Sequence, residues 1–177
     1  MSAYGGRLTR ALRKIAFVKP DLIVICDDLA APKPVSFQFM LHALSPFSVD
    51  EKAARLSAKQ PKASVTAQYF SPTPLNFRQW DGFEPKPDRE FPNQWHVEAG
   101  TRTKLAELRM LTVIAPQRTG AETDWNAERL ESETAVGVRV LREGKETLVA
   151  FRKADDGNAT VDDVGFHSAV LVRTRPR

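Results

Sequence analysis

The run of residues 22–26, Leu-Ile-Val-Ile-Cys, constrains the fold of this chain more than any other feature of its sequence. Successive side chains of an extended strand point to opposite faces, so an uninterrupted apolar run places apolar side chains on both faces. A strand of this kind is stable where other parts of the protein cover both of its faces. We therefore predict a central strand at residues 22–26, in a sheet with a packed layer on each side.

The segments around this run predict a meander of three strands over residues 12–44. Lys19-Pro20-Asp21 marks a corner, and the Asp- and Pro-rich residues 27–34 mark a longer turn before the third strand. Apolar and polar residues alternate in that third strand, which indicates one buried and one exposed face. The residues expected on the buried face are Val35, Phe37, Phe39 and Leu41, and those expected on the exposed face are Ser36, Gln38, Met40 and His42.

Short strand-like segments continue to the end of the chain. About ten of them, separated by turn signals, predict an all-β fold, an antiparallel β-sandwich of the jelly-roll or supersandwich kind. A chain of 177 residues has the size of one domain. We expect residues 1–11 to be a lead-in segment and residues 12–177 to form a single β-sandwich domain. Residues 127–131 have a helical pattern and predict one helical turn.

Residues 71–92 break the strand pattern. They include five prolines, which argue against a central strand or a long helix. The same segment contains four aromatic residues, whereas disordered linkers are poor in them. These residues are Phe77, Trp80, Phe83 and Phe91. We therefore predict a Pro- and aromatic-rich loop at 71–92 that folds back onto the body of the domain.

The composition narrows the possible functions. The net charge of +4 comes from basic residues interleaved with acidic ones, apart from Arg173, Arg175 and Arg177 at the end of the chain. No nucleic-acid motif, phosphate-binding loop or serine nucleophile motif occurs, and no apolar run approaches the ~18 residues of a membrane span. We expect neither a nucleic acid nor a membrane as partner. The first residues lack the apolar core of a signal peptide.

Two other chemistry-bearing features have structural explanations. Cys26 is the one cysteine and lies in the most apolar strand, so we expect a small buried core residue rather than a nucleophile. Asp27 and Asp28 form an adjacent pair of carboxylates. Neighbouring residues at a strand end point to opposite faces, so we predict a role in the turn and not in acid–base chemistry.

The candidate site residues are two histidines and an aromatic–arginine pair. Alternation places His42 on the polar face of its strand and His96 on the polar face of another, beside Glu98. If those strands are neighbours, the two imidazoles share one patch. No close-spaced pair of metal ligands occurs, so we predict structural or hydrogen-bonded histidines, including His167, and no metal site.

Aromatic side chains offer flat faces on which sugar rings stack, and arginines hold acidic groups. Trp95 alternates with apolar residues and is expected in the core. Trp80, with Arg78 two residues before it, is the better candidate for a surface aromatic residue. The predicted substrate-binding set is therefore Trp80, Arg78, His96 and His42.

Several stretches resemble the β-rich C-terminal part of heparinase II/III-like polysaccharide lyases. These are RKIAFVKPDLIVICDDL (13–29), FQFMLHAL (37–44), NQWHVEA (93–99) and LRMLTVIAP (108–116), which follow one another in the same order as in the family. The resemblance implies a β-sandwich belonging to an enzyme that cleaves uronic-acid polysaccharides by β-elimination. Such enzymes are usually periplasmic or secreted, while the location of this chain is left open.

The resemblance also implies that this chain is not catalytic by itself. The family's catalytic Asn, His and Tyr lie in an N-terminal helical toroid, and its zinc ligands lie in Gly-His-x-His-x-Asp and His-Asn-Thr stretches. None of these motifs occurs here, so no catalytic residue, no metal ligand and no cofactor is assigned.

Three functions are compatible with the sequence, and the third is that of a structural domain that binds only its own partner chain. In the first, the chain supports the toroid, lines the substrate cleft, and has the toroid and central β part of the parent lyase and an acidic polysaccharide as partners. In the second, it is a free-standing carbohydrate-binding β-sandwich for acidic glycans.

Overall fold

The middle layer of the fold is a six-stranded antiparallel sheet, and residues 22–26 lie in its interior as predicted. The structure is a computed structural model that describes residues 5–177. In spatial order the sheet consists of β1 (Arg10–Val18), β2 (Leu22–Val35), β9 (Leu105–Arg118), β6 (Ala63–Phe70), β5 (Arg55–Lys59) and β4 (Ser48–Asp50). Because β2 pairs with β1 on one side and β9 on the other, its backbone groups are satisfied within the sheet.

A three-stranded antiparallel sheet covers one face of the middle layer. Its strands, in spatial order, are β3 (Gln38–Ala43), β8 (Trp95–Thr101) and β7 (Leu75–Asp81). The core between the two sheets is rich in aromatic and large aliphatic side chains. It includes Phe39, Leu75 and Val97 from the outer sheet, Phe37 from the link between β2 and β3, and Ile25, Leu56, Tyr69 and Met110 from the middle sheet.

A four-stranded antiparallel sheet covers the other face. Its strands, in spatial order, are β10 (Trp125–Glu131), β11 (Ala135–Arg142), β12 (Lys145–Arg152) and β15 (Val170–Pro176). Val24, Cys26, Leu111 and Val113 of the middle sheet pack against Val136, Val138, Val149 and Phe151 of this sheet. A hairpin of β13 (Ala159–Val161) and β14 (Val164–Phe166) then covers part of its outer face.

The fold-class prediction is confirmed. Alternate residues of β2 pack into different cores. Ile25 lies in the core beneath the three-stranded sheet, and Val24 and Cys26 lie in the core beneath the four-stranded sheet, which is why the run is apolar throughout. The described residues form fifteen strands, more than the ten expected, because several short strands escape sequence patterns. No helix among the described residues is long and apolar enough to cross a membrane.

Three local predictions are wrong. The turn predicted at 27–34 is instead the second half of β2, and the helical turn predicted at 127–131 lies in β10. The loop predicted at 71–92 contains β7, which is an edge strand, so the prolines still exclude a central one. Of the lead-in segment, residues 1–4 lie outside the described part and β1 begins at Arg10, two residues before the expected boundary.

Arginine pairing explains why β2 continues through two aspartates. Asp27 accepts hydrogen bonds from Nε and Nη2 of Arg13 at 2.6 and 3.0 Å, and Asp28 is bound by Arg10 at 2.8 Å and by Arg109 at 2.6 Å. Both carboxylates are buried, and a buried charge is tolerated where it is paired and hydrogen-bonded. Because the arginines are supplied by β1 and β9, the local sequence does not reveal this role.

Candidate functional site

The outer face of the three-stranded sheet brings together all four residues of the predicted substrate-binding set. The strand register forms three rows across β7, β8 and β3. The rows are Asn76, Gly100 and Gln38; then Arg78, Glu98 and Met40; then Trp80, His96 and His42. The apolar residues between them point into the core, as the alternation predicts. We call this surface the histidine–tryptophan face.

The condition set for the two histidines is met, because β3 and β8 are neighbours and His42 lies directly opposite His96. The centres of the two imidazole rings are 4.5 Å apart and the ring planes meet at 73°. His42 is exposed, whereas His96 is half-buried. The Nε2 atom of His96 is buried and makes no hydrogen bond to any described residue. Among the described residues this nitrogen is therefore an unsatisfied buried polar atom.

Trp80 packs between His96 and Arg78. Its ring stacks on His96 with centres 5.4 Å apart and an angle of 11°, and the Arg78 guanidinium lies 5.1 Å from the Trp80 ring centre. A sugar ring would therefore meet the exposed edge of Trp80, or would stack on its face only after Arg78 moves. The face as a whole offers a cation and aromatic edges rather than a bare aromatic platform.

Arg78 and Glu98 give this face two charges that are not used in ion pairs. They lie directly opposite each other on β7 and β8, yet within residues 5–177 neither of them forms a salt bridge. Arg78 is exposed and Glu98 is half-buried. An exposed guanidinium without a carboxylate partner is suited to hold a carboxylate or sulfate group of a ligand in a bidentate manner.

The loop between β7 and β8 closes one end of the face. Gly82, at φ +89°, donates its backbone N–H to the carbonyl oxygen of Gln94 at 3.0 Å, which brings the two ends of the loop together. Phe83 contacts His96 edge-on at 5.8 Å, so the loop does dock on the sheet. From the sequence alone, Phe83 is only one of the aromatic residues of a loop. No sequence signal placed it over His96.

The remaining sequence candidates lie elsewhere. Trp95 packs against the core, as predicted, and His167 is exposed between β14 and β15. Asp27 and Asp28 face opposite sides of β2, but the turn role predicted for them is wrong, because both lie within the strand. Their carboxylates are bound by arginines on adjacent strands, so they do not form an acid–base pair.

Two buried groups are unsuited to acid–base or nucleophilic chemistry. Burial raises the pKa of the Cys26 thiol to about 12, which suppresses its thiolate, and Cys26 is buried as the sequence predicts. Burial also raises the pKa of Tyr69 well above its ordinary value. Within the described part of the chain no group of three or more His, Cys, Asp or Glu residues is arranged to hold a metal ion.

The fold is similar to part of several solved lyase structures. A heparinase III with methylated lysines is 15% identical, with a TM-score of 0.64, and the match covers 82% of this chain and 24% of that one. A second heparinase III is 14% identical, with a TM-score of 0.60 and coverages of 82% and 24%. A mutant of the heparan sulfate lyase HepC from Pedobacter heparinus is 12% identical, with a TM-score of 0.56 and coverages of 83% and 24%.

These likenesses show the fold, and the chain spans about a quarter of the length of each of these structures. No protein-family model and no curated protein matches the sequence.

Proposed function

We propose that this chain is the non-catalytic β-sandwich portion of a polysaccharide lyase of the heparinase II/III type, acting on uronic-acid polysaccharides. The observation that carries the proposal is the fold likeness, which extends over four fifths of this chain but about a quarter of the matched lyases. In this role the sandwich supports a catalytic toroid and lines one wall of the substrate cleft. The toroid and the central β part would be its protein partners.

An uncovered apolar strip supports a packing role. β1 is an edge strand of the middle sheet, and its Ile15 and Phe17 are 57% and 56% exposed on the same face. Exposed apolar side chains on a strand edge mark sites where another chain or domain packs. The strip is therefore a candidate contact for the toroid or the central β part.

The size of the native gene product tests the main proposal. An antibody raised against residues 93–116 is expected to detect a product several times heavier than 19.8 kDa in extracts of the source cells. That product should cleave uronic-acid polysaccharides such as heparan sulfate or alginate and release unsaturated uronate, while the isolated chain should not. A product of 19.8 kDa, or lyase activity in the isolated chain, would contradict the proposal.

The packing role has a separate test. Replacing Ile15 and Phe17 by Thr should reduce self-association of the isolated chain and its binding of an apolar dye. Val172→Thr is the matched control, since Val172 is 46% exposed on β15, another edge strand. An equal effect of the control would show that the strip on β1 has no special role.

The histidine–tryptophan face favours a second candidate function, binding of acidic glycans by the sandwich on its own. The specific observation is that Trp80, Arg78, His96 and His42 lie on one surface with an unpaired guanidinium. Calorimetric titration with heparan sulfate fragments should give binding that weakens strongly in Arg78→Ala and Trp80→Ala. Arg118→Ala, an exposed arginine on β9, should bind as the unaltered chain does. Equal weakening in all three variants would point to general charge attraction.

A further inference from the structure

We propose that the outer edge of β3 accepts an extended segment of the parent polypeptide as a fourth strand of the three-stranded sheet. This segment would belong to the part of the parent lyase outside this chain, so the inference rests on the proposed function. It adds the strand that is extended, the backbone groups that bind and the kind of segment that fits. The supporting observations are the hydrogen bonding of β3, the cleft beside it and the charge of β1.

The backbone of β3 is hydrogen-bonded on one side. The N–H of Thr101 donates to the carbonyl oxygen of Phe37 at 2.9 Å, and the same register continues along β3 and β8. In an antiparallel pair, alternate residues direct their N–H and C=O groups to the partner strand, so Phe39 and Leu41 bind β8. The residues whose backbone groups point away from β8 are Gln38, Met40 and His42. No strand of the described residues pairs with this side of β3, so these groups are available to a further strand.

An open cleft lies beside this edge, between β3 and the middle sheet. It has a volume of about 650 Å³ and mainly apolar walls. Phe39, Ala11 and Arg13 line it, and the Arg13 guanidinium lies 5.0 Å from the centre of the Phe39 ring. Ile15 and Phe17 continue the Arg13 face of β1 and are 57% and 56% exposed. A strand beside β3 would direct every second side chain towards the cleft, where apolar side chains would be favoured by burial.

The charge of β1 favours an acidic segment over a second copy of this chain. All charged residues in 7–19 are basic, namely Arg7, Arg10, Arg13, Lys14 and Lys19. Arg7 lines the cleft, is exposed and forms no salt bridge within residues 5–177, so it can pair with an acidic side chain. If the β3 strands of two copies paired, their basic β1 strands would lie close together and repel each other. The segment that fits has apolar residues at alternate positions and an acidic residue near Arg7.

Hydrogen–deuterium exchange on the native product and on the isolated chain tests this proposal. The outward amides of β3 should exchange about tenfold more slowly, or slower still, in the longer native product than in the isolated chain. The amides of Phe77 and Gln79 are the matched control. They point away from β8 on β7, the opposite edge of the same sheet, and should exchange at the same rate in both proteins.

A pair of substitutions at Met40 in the longer product gives a second test. Proline lacks the N–H donor and is tolerated on edge strands. Met40→Pro should therefore make the amides of Gln38 and His42 exchange about tenfold faster, or more, whereas Met40→Ala keeps the N–H and should leave them slow. Circular dichroism checks that both variants are folded. If Met40→Pro fails to fold, the comparison of the unaltered proteins decides.

The possible failures are distinguishable. Equal exchange of the β3 amides in the longer product and the isolated chain would overturn this inference and leave the proposed function standing. Equal slowing at β3 and β7 would overturn it in favour of general burial of the sheet. Slow exchange in the isolated chain that is lost on dilution would assign the edge to a second copy instead. A native product of 19.8 kDa would overturn both the inference and the proposed function.

Discussion

The two outer faces of the sandwich use their charged residues in opposite ways. On the four-stranded sheet, Arg139 is bound to Asp162 at 2.5 Å and also to Glu128, and Glu146 is bound to Arg175 at 2.7 Å. On the three-stranded sheet, Arg78 and Glu98 lie opposite each other without an ion pair. The charges of the first face are engaged in holding strands together. Those of the second are available to a ligand.

The buried faces of the two outer sheets are not expected to differ in their use of charges. A substitution in one of the cores therefore provides the reference for the stability changes below. Phe151 on β12 is fully buried between the middle and four-stranded sheets, so Phe151→Ala should lower the free energy of unfolding by about 3–5 kcal/mol. Phe91, which is 59% exposed, provides the control. Phe91→Ala should change the free energy of unfolding by less than about 0.5 kcal/mol. Urea denaturation measures both. Similar values for the two variants would contradict the assignment of this core.

Two glycines compare the packing of the outer sheets directly. A Cβ at Gly137 on β11 would lie 2.5 Å from the carbonyl oxygen of Val149, so Gly137→Ala should cost about 1–3 kcal/mol of stability. A Cβ at Gly100 on β8 would lie 3.3 Å from the flexible carboxylate of Glu98, which can move aside. Gly100→Ala should therefore be nearly neutral in thermal denaturation. A larger loss of stability in Gly100→Ala than in Gly137→Ala would contradict this difference in packing.

The two arginines provide the central test of charge use. Arg139→Ala removes the partner of Asp162 and Glu128 and should lower the free energy of unfolding by about 1 kcal/mol. Arg78→Ala removes an arginine without an ion pair and should change stability by less than about 0.5 kcal/mol, although it should weaken glycan binding. Equal destabilisation by both substitutions would mean that Arg78 has a structural role.

The smallest expected effect depends on pH. The hydrogen bond from Arg139 lowers the pKa of Asp162, so this pair stabilises the fold above the ordinary Asp pKa and loses its contribution as the pH falls through the lowered value. Asp162→Asn should therefore destabilise the chain at pH 7 by less than about 1 kcal/mol, and the difference should be smaller at a second pH well below the ordinary Asp pKa. Denaturation of the two proteins at both pH values checks this sign. A difference that grows towards acid would contradict it.

The sequence predicts the parts of this fold that depend on local periodicity. The doubly apolar run at 22–26 indicates a central strand, and alternation places His42, His96 and Trp95 on their correct faces. The sequence wrongly predicts a turn at Asp27 and Asp28, because the arginines that neutralise them come from other strands. It also treats β7 as loop, since prolines on both sides hide a short edge strand.

The candidate site is predictable in composition but not in geometry. All four residues were identified from residue type and alternation, whereas their meeting depends on the strand order β3, β8, β7. No local signal reports that Arg78 lies over Trp80, or that the loop places Phe83 against His96. Strand pairing between distant segments decides these contacts.

Mapping heparan sulfate oligosaccharides on the isotopically labelled chain by amide chemical shifts tests the difference between the two outer faces most directly. The prediction is that the perturbed amides lie on β3, β7 and β8, centred on Arg78 and His96, and that β10, β11 and β12 are unaffected. Perturbations centred on the basic strand β15, at Arg173 and Arg175, or spread evenly over both faces, would contradict it.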